Sequence, residues 1–309
     1  MQTLFNIINI PLGWVLEFLA RILGGNFAAS VFVFTLLANV VLIPLSIKSQ
    51  KSSVQQTRIK PKLDELKKRY GDDKQKYSEA MQQLYGEENV SMSGGCLPMI
   101  LRLVLMMSIY WLIMSPLTYL LHVDSATISE AAKQLNIAAN GRSELQIIEA
   151  VHNGTLNIPE IANKLGNLNF NLFGLNLTQT PKFSFDIFHD AQLIWIMPII
   201  AFLAQMLTSA LSMMMQKKIN PDAPNMAGMM LTMPLISLFI GFSLPGGVTF
   251  YWACSSLIGG LIQLAVQQFY GPHKMLSRER LKELNKECDF EETQIKKINQ
   301  AKLNGENAE

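Results

Sequence analysis

The chain has 309 residues, 49% hydrophobic and 16% charged, with a formal net charge of +2 and a mean hydropathy of +0.20. A soluble domain carries about 25% charged residues, so the composition argues against a water-soluble globule and for a bilayer protein. The small net charge argues against direct nucleic-acid binding. Cys96, Cys254 and Cys288 are far apart and without metal-type spacing, so neither a disulfide framework nor a metal or cofactor site is expected.

In chain order, residues 1–27 hold the apolar stretch "LFNIINIPLGWVLEFLARIL", interrupted by Asn6, Asn9, Pro11, Glu17 and Arg21. It lacks a basic leading region and a small-residue cleavage site. An N-terminal interfacial amphipathic helix on the extracytoplasmic side is the favoured reading, with an additional span as the alternative. A first span follows over 28–47, long enough for a bilayer. Its Thr35, Asn39 and Ser46 fall on one helical face at spacings of four and seven.

Residues 48–95 read as a helical hairpin. Ile59, Leu63, Leu66 and Tyr70 recur at helical spacing in one run, and Tyr77, Met81, Leu84 and Tyr85 in the next, with Gly71–Asp73 between them. Pro61 is expected to kink or restart the first helix. Residues 48–92 carry ten basic and seven acidic side chains, a solvated surface rather than a nucleic-acid clamp.

The second span, 96–121, holds Arg102. A guanidinium stays charged in proteins, and at the centre of a spanning helix it costs roughly 2.5–3.5 kcal/mol, which marks a functional candidate. The competing reading is a side chain that snorkels to the interface. The connection 122–192 contains helix-forming pieces and the extended, aromatic "LNFNLFGLNLTQTPKFSF", a candidate folded cap.

The third span, 193–215, places Gln205, Thr208, Ser209 and Ser212 on one face, and the loop 216–225 carries Lys217 and Lys218. The fourth, 226–244, is almost wholly apolar. A tight outer turn at 245–247 leads to the fifth, 248–269, where Trp252, Ser255, Ser256 and Gln263 line up around Gly259 and Gly260. The tail 270–309 balances eight basic against eight acidic residues and is expected to be partly helical.

The fold class is thus an all-α polytopic membrane protein with five transmembrane helices, a helical hairpin and an N-terminal interfacial helix. The basic residues concentrate in 48–92, 216–225 and 270–309, whereas 122–192 has four against seven acids. Lysine and arginine mark the cytoplasmic side, so the hairpin and C-terminus are expected in the cytoplasm and the N-terminus outside. Hydroxyls in spans also mediate helix packing. Three polar stripes together with Asn39, Gln205 and Arg102 favour a hydrated cavity. Asn39 and Arg102 lie about 12 Å and 8 Å from the cytoplasmic ends of their spans, at 1.5 Å per residue.

No enzyme is expected. The chain has no His-Glu-x-x-His motif, His122, His152, His189 and His273 lie outside the spans, and the spans contain no carboxylate. A small-anion transporter with Arg102 as its binding charge is the alternative, although the repeated halves common in transporters are missing.

Four pieces carry a resemblance: "IPLSIKSQKS", "IKPKLDELKKRYGDDKQKYSEAMQQLY", "SGGCLPM" and "FSLPGGVTFYWACSS". In this order, over about Asn26 to Tyr270, the chain resembles the YidC-type membrane protein insertases in their short five-span, Gram-positive form. The outer loop is longer than usual for that form, and the lipoprotein-type signal common in it is missing. The resemblance implies a bacterial plasma-membrane insertase and chaperone. Its groove is hydrophilic, positively charged, open to cytoplasm and lipid, and closed outside.

The family's groove arginine falls at Asn39 here, and Arg102 stands where the family usually has glutamine. The pair suggests a charge moved to the neighbouring helix. The partners it implies are nascent membrane proteins with few spans and short acidic outer tails and the lipid bilayer, with the Sec translocon, a signal-recognition receptor and the ribosome as further candidates.

Overall fold

The computed structural model of the chain describes residues 2–88, 90, 97–138, 143–166, 168–181, 192–219 and 227–271, and in the tail 274, 277, 280, 281 and 284–296. Contacts divide it into two units, residues 1–46 with 96–264, and residues 47–95 with 265–309.

In the first unit, α1 (Gln2–Ile22) packs on α2 (Phe27–Val41) and α5 (Leu97–Met114). Leu16, Leu19 and Ala20 are buried, while Ile7, Trp14, Phe18 and Ile22 stay exposed on the other side. At Gly13 a Cβ would stand 2.3 Å from the Tyr119 carbonyl oxygen, so only glycine lets the helix approach this far. The Tyr119 hydroxyl donates to Asn6 Oδ1 at 2.7 Å. Asn26 starts α2 as its N-cap, its Oδ1 accepting from the Ala29 amide at 3.0 Å.

Prolines redraw two predicted spans. The first breaks at Leu42, between α2 and α3 (Ile43–Tyr70). Pro44 removes an amide donor there, and its ring crowds the preceding turn. The second stops at Met114, and a short α6 (Pro116–Tyr119) takes over. Ser115 precedes Pro116, a position pushed away from the helical region, and it adopts φ −126°, ψ 60°. Pro61, by contrast, neither ends nor restarts α3.

After a 3₁₀ turn at Leu193–Trp195 come α10 (Ile196–Ile219), α11 (Ala227–Gly241) and α12 (Gly246–Tyr270). Among the described residues, Leu193–Met215 and Gly246–Tyr270 are long and apolar enough to cross a membrane, and the α2–α3 pair adds a third if it counts as one span. Leu103–Met114 and Thr232–Gly241 are shorter apolar helices. The fold is therefore an all-α membrane protein with two or three helices of spanning length, where the sequence predicts five. Residues 220–225 of the predicted loop 216–225 lie outside the described residues.

The connection 122–192 is folded where it is described. It forms α7 (Ser125–Gln134), α8 (Ser143–His152), α9 (Pro159–Leu165) and an antiparallel hairpin of β1 (Asn171–Leu172) and β2 (Leu175–Asn176). Leu145, Ile147, Ile148 and Ile161 join the same core as Leu112, Leu117, Val31 and Val248. Backbone bonds tie it to the helix ends: Phe27 N donates to Asn169 O at 3.0 Å, and Gly246 N and Gly247 N donate to Gln179 O and Leu177 O, each at 2.8 Å. The Phe27 and Phe170 rings lie 4.8 Å apart.

One carboxylate is sealed into this junction. Glu144, 6% exposed, accepts from the Thr118 amide at 3.0 Å and the Thr118 hydroxyl at 2.6 Å. Burial pushes its pKa above the ordinary carboxylate value, against the opposing pull of those hydrogen bonds.

In the second unit α3 turns through Gly71–Asp73 into α4 (Lys74–Glu87). Asp73 caps α4 by accepting from the Lys76 amide at 3.1 Å. Ile59, Leu84 and Val90 are buried, and the predicted stripes form the less exposed face. Glu88 closes the hairpin on Lys62 and Arg58. Lys62 lowers the pKa of Glu88 by hydrogen bond and charge, and Arg58 adds to it. In the tail, residues 284–296 are helical.

Candidate polar cleft between α10 and α12

The third and fifth polar stripes meet. Thr208, Ser209 and Ser212 of α10 face Ser255, Ser256, Gly259, Gly260 and Gln263 of α12 across a cleft of about 280 Å³. On α10 the three positions are spaced by one and four residues, and on α12 the five by one, four, five and eight, so each set covers one helical face.

Gly260 sets the spacing of the two helices. A Cβ there would fall 2.3 Å from Thr208 Cγ2 and 3.0 Å from Thr208 Cβ. The Thr208 hydroxyl donates back to the carbonyls of Ala204 and Gln205, at 3.1 Å each. This occupies its proton, so toward other groups the oxygen can only accept.

The chemistry of the lining is narrow. Five hydroxyls and one carboxamide both donate and accept, and the eight lining residues include no ionisable group. Such a lining is suited to water or another polar group, and its volume admits several water molecules. Among the described residues no group of His, Cys, Asp or Glu is arranged to hold a metal.

Other predicted lining residues lie elsewhere. Thr35 and Asn39 are 1% and 6% exposed. Thr35 Oγ1 donates to Val31 O at 2.6 Å, and Asn39 Nδ2 donates to Thr35 O at 2.8 Å. Ser46 donates to Leu42 O at 3.1 Å. The first stripe is thus bonded into the carbonyls of its own chain and contributes nothing to the cleft lining.

Gln205 belongs to a helix–helix contact, its Oε1 accepting from the Ser237 hydroxyl of α11 at 2.8 Å. Trp252 packs against Ala201, Ala204 and Ala253. Arg102 lies on α5, but its side chain is outside the described residues.

Sequence reasoning missed the Gln205–Ser237 bond and the buried Glu144. Ser237 stands in a run that reads as featureless apolar span, and "SELQ" carries no sign of burial. The closeness at Gly260 has a faint signal, the Gly259–Gly260 pair inside an apolar helix.

A family model described as 60Kd inner membrane protein matches residues 18–273. A membrane protein insertase YidC of Dechloromonas aromatica is 26% identical over 254 residues, covering 82% of this chain and 34% of that protein. The counterpart from Ectopseudomonas mendocina is 36% identical over 104 residues, 34% of this chain and 18% of the relative, and that of Pseudomonas entomophila is 38% identical over the same length. The chain therefore spans about a third or less of the length of these curated relatives. With the family match extending over most of its residues, the chain belongs to the 60Kd inner membrane protein family, the family of the YidC insertases.

Proposed function

We propose that the chain is a membrane protein insertase and chaperone, and that the cleft between α10 and α12 is where a polar piece of its client leaves water. The observation that carries this reading is the cleft itself: a wettable, charge-free surface built into two helices of bilayer-spanning length. The insertase names of the relatives support the same reading.

The physical problem is the cost of polar groups in hydrocarbon. Each unsatisfied backbone group costs several kcal/mol in the bilayer core, so a polar tail cannot cross unaided. A hydrated cleft along α10 and α12 shortens the dry path, and its hydroxyls replace water as partners of the moving chain. Release follows when the client's apolar segment partitions into lipid, at about 25 cal/mol per Å² of apolar surface removed from water. No nucleotide and no covalent step is part of this scheme, and no cofactor.

In this reading the N-terminus and the 122–192 cap lie outside, and the hairpin and C-terminus in the cytoplasm of a bacterial cell. Short acidic tails move outward, favoured by a membrane potential that is positive outside. Arg102 of α5 supplies the attracting charge of the groove. The hairpin receives clients or contacts the Sec translocon, a signal-recognition receptor or the ribosome. The small-anion transporter gains no support, since the relatives are named insertases.

The test is insertion of a single-span protein with a short acidic N-terminal tail into liposomes containing the purified chain. Wild type should protect the tail inside the vesicle, whereas Ser212→Leu combined with Ser256→Leu should not. Equal insertion by both would overturn the role of the cleft.

A further inference from the structure

Phe173 sits at the tip of the β1–β2 hairpin with φ at 50° and 95% of its surface exposed. It is the first central residue of a two-residue turn, and Gly174 is the second with φ at 83°. Both positions of such a turn favour Asn, Asp or Gly. An L-residue with a bulky side chain is strained there, because its Cβ crowds the following carbonyl oxygen. A ring 95% exposed gains almost no contact within the chain to offset that strain, so any compensation comes from outside it.

The hairpin holds the ring firmly. Asn171 pairs with Asn176 and Leu172 with Leu175, and Leu175 and Leu177 are buried. Its base is fixed to the first residues of α2 and α12, through Asn169, Phe170 and Leu177 as described above. Residues 168–181 contain no charged side chain, whereas an exposed turn in water ordinarily carries them.

Placement names the occupant. On the proposed reading, on which this inference rests, α12 and the α2–α3 pair cross the bilayer, and the N-terminal ends of α2 and α12 lie where the chain leaves hydrocarbon. Phe173 stands three residue steps from Phe170 at the hairpin base, at most about 10 Å at 3.3 Å per strand residue. The polar zone on each side of the hydrocarbon is about 5–8 Å deep, and aromatic rings concentrate in it. We propose that Phe173 anchors the cap to the lipid surface, its ring inserted at the boundary between headgroups and acyl chains of the leaflet on this side.

Nitroxide depth measurements test this in proteoliposomes of the full chain carrying Cys96→Ala and Cys288→Ala, with the buried Cys254 retained. Labels go singly at Phe173→Cys, at Leu261→Cys on the exposed apolar side of α12, and at Gln134→Cys on the exposed surface of the cap. Oxygen reports lipid, and a water-soluble nickel chelate reports water. The label at 173 should collide with nickel several-fold less than that at 134, and more than that at 261. Equal nickel access at 173 and 134, with 261 still shielded, overturns the anchor and leaves the spanning reading intact. Nickel access at 261 overturns the spanning reading and the anchor with it.

Phe173→Asn supplies a second readout of opposite sign. Asparagine suits the turn, so strain alone predicts slower hydrogen exchange across the hairpin. Loss of the anchor predicts exchange several-fold faster in proteoliposomes. Slower or unchanged exchange would overturn the proposal.

Discussion

A methyl group on Gly260 would stand 2.3 Å from Thr208 Cγ2, so these two residues fix how closely α10 and α12 run beside the cleft. Gly260→Val must separate the helices or force Thr208 off its rotamer. Overpacking of this kind costs about 1–3 kcal/mol, while replacing an interior helical glycine returns less than about 1 kcal/mol through propensity. The substitution should therefore lower the melting temperature in detergent and reduce insertion. Thr208→Ser in the same chain removes the clashing methyl and should restore most of both.

The cleft serines separate wetting from packing. If their hydroxyls serve helix packing, each bond lost costs about 0.6 kcal/mol, and Ser212→Ala with Ser256→Ala changes stability only slightly. Alanine keeps the cleft open to water but removes two hydroxyl partners, whereas leucine fills it. Insertion should fall in the order wild type, double alanine, double leucine, with melting temperatures changing little. The control is Gln205→Leu. It breaks the bond to Ser237 without touching the cleft, so it should lower stability by a similar small amount and leave insertion near wild type.

Periodicity was enough to find the two stripes that meet, because a helical face is a local property of sequence. It could not separate them from the first stripe, which has the same spacing. Thr35 and Asn39 are bonded to carbonyls one turn back, and only neighbours distant in sequence decide whether a polar face lines a cleft or packs. The breaks at Leu42 and Ser115 follow from Pro44 and Pro116, both visible in the sequence, but the apolar runs around them read through. Glu144 was illegible for the same reason as the first stripe: its partner Thr118 lies 26 residues away.

Arg102 tests the relocated groove charge. Asn39 is 6% exposed and donates to Thr35 O, so the position to which the resemblance assigns the family's arginine holds a neutral, internally bonded group. If Arg102 supplies the charge, Arg102→Ala should slow insertion of a client with an acidic tail at least several-fold and spare one with a neutral tail. Arg102→Lys should retain most activity, since a cation at the right depth suffices for attraction. Equal loss for both tails would assign Arg102 to structure instead.

Glu144 makes stability depend on pH in a direction opposite to most carboxylates. Burial raises its pKa in the folded chain above the unfolded value near 4.5, so between the two the folded state holds a proton that the unfolded state has lost. Below the unfolded value both states are protonated and Glu144 imposes no charge penalty. As pH rises through 4.5 and toward the folded pKa, stability falls, because the folded chain must keep the proton or bury a charge. Glu144→Gln keeps an oxygen that accepts from Thr118 and has no proton to lose. Its melting temperature should exceed that of wild type at pH 7, with the gap closing by pH 4. Glu144→Ala instead leaves the Thr118 amide and hydroxyl without their acceptor, at about 1–3 kcal/mol, and should melt below the glutamine variant at every pH. A wild-type melting temperature that rises between pH 4 and pH 7 relative to Glu144→Gln would reverse the assignment, making Glu144 a charged cap of α6 rather than a buried acid.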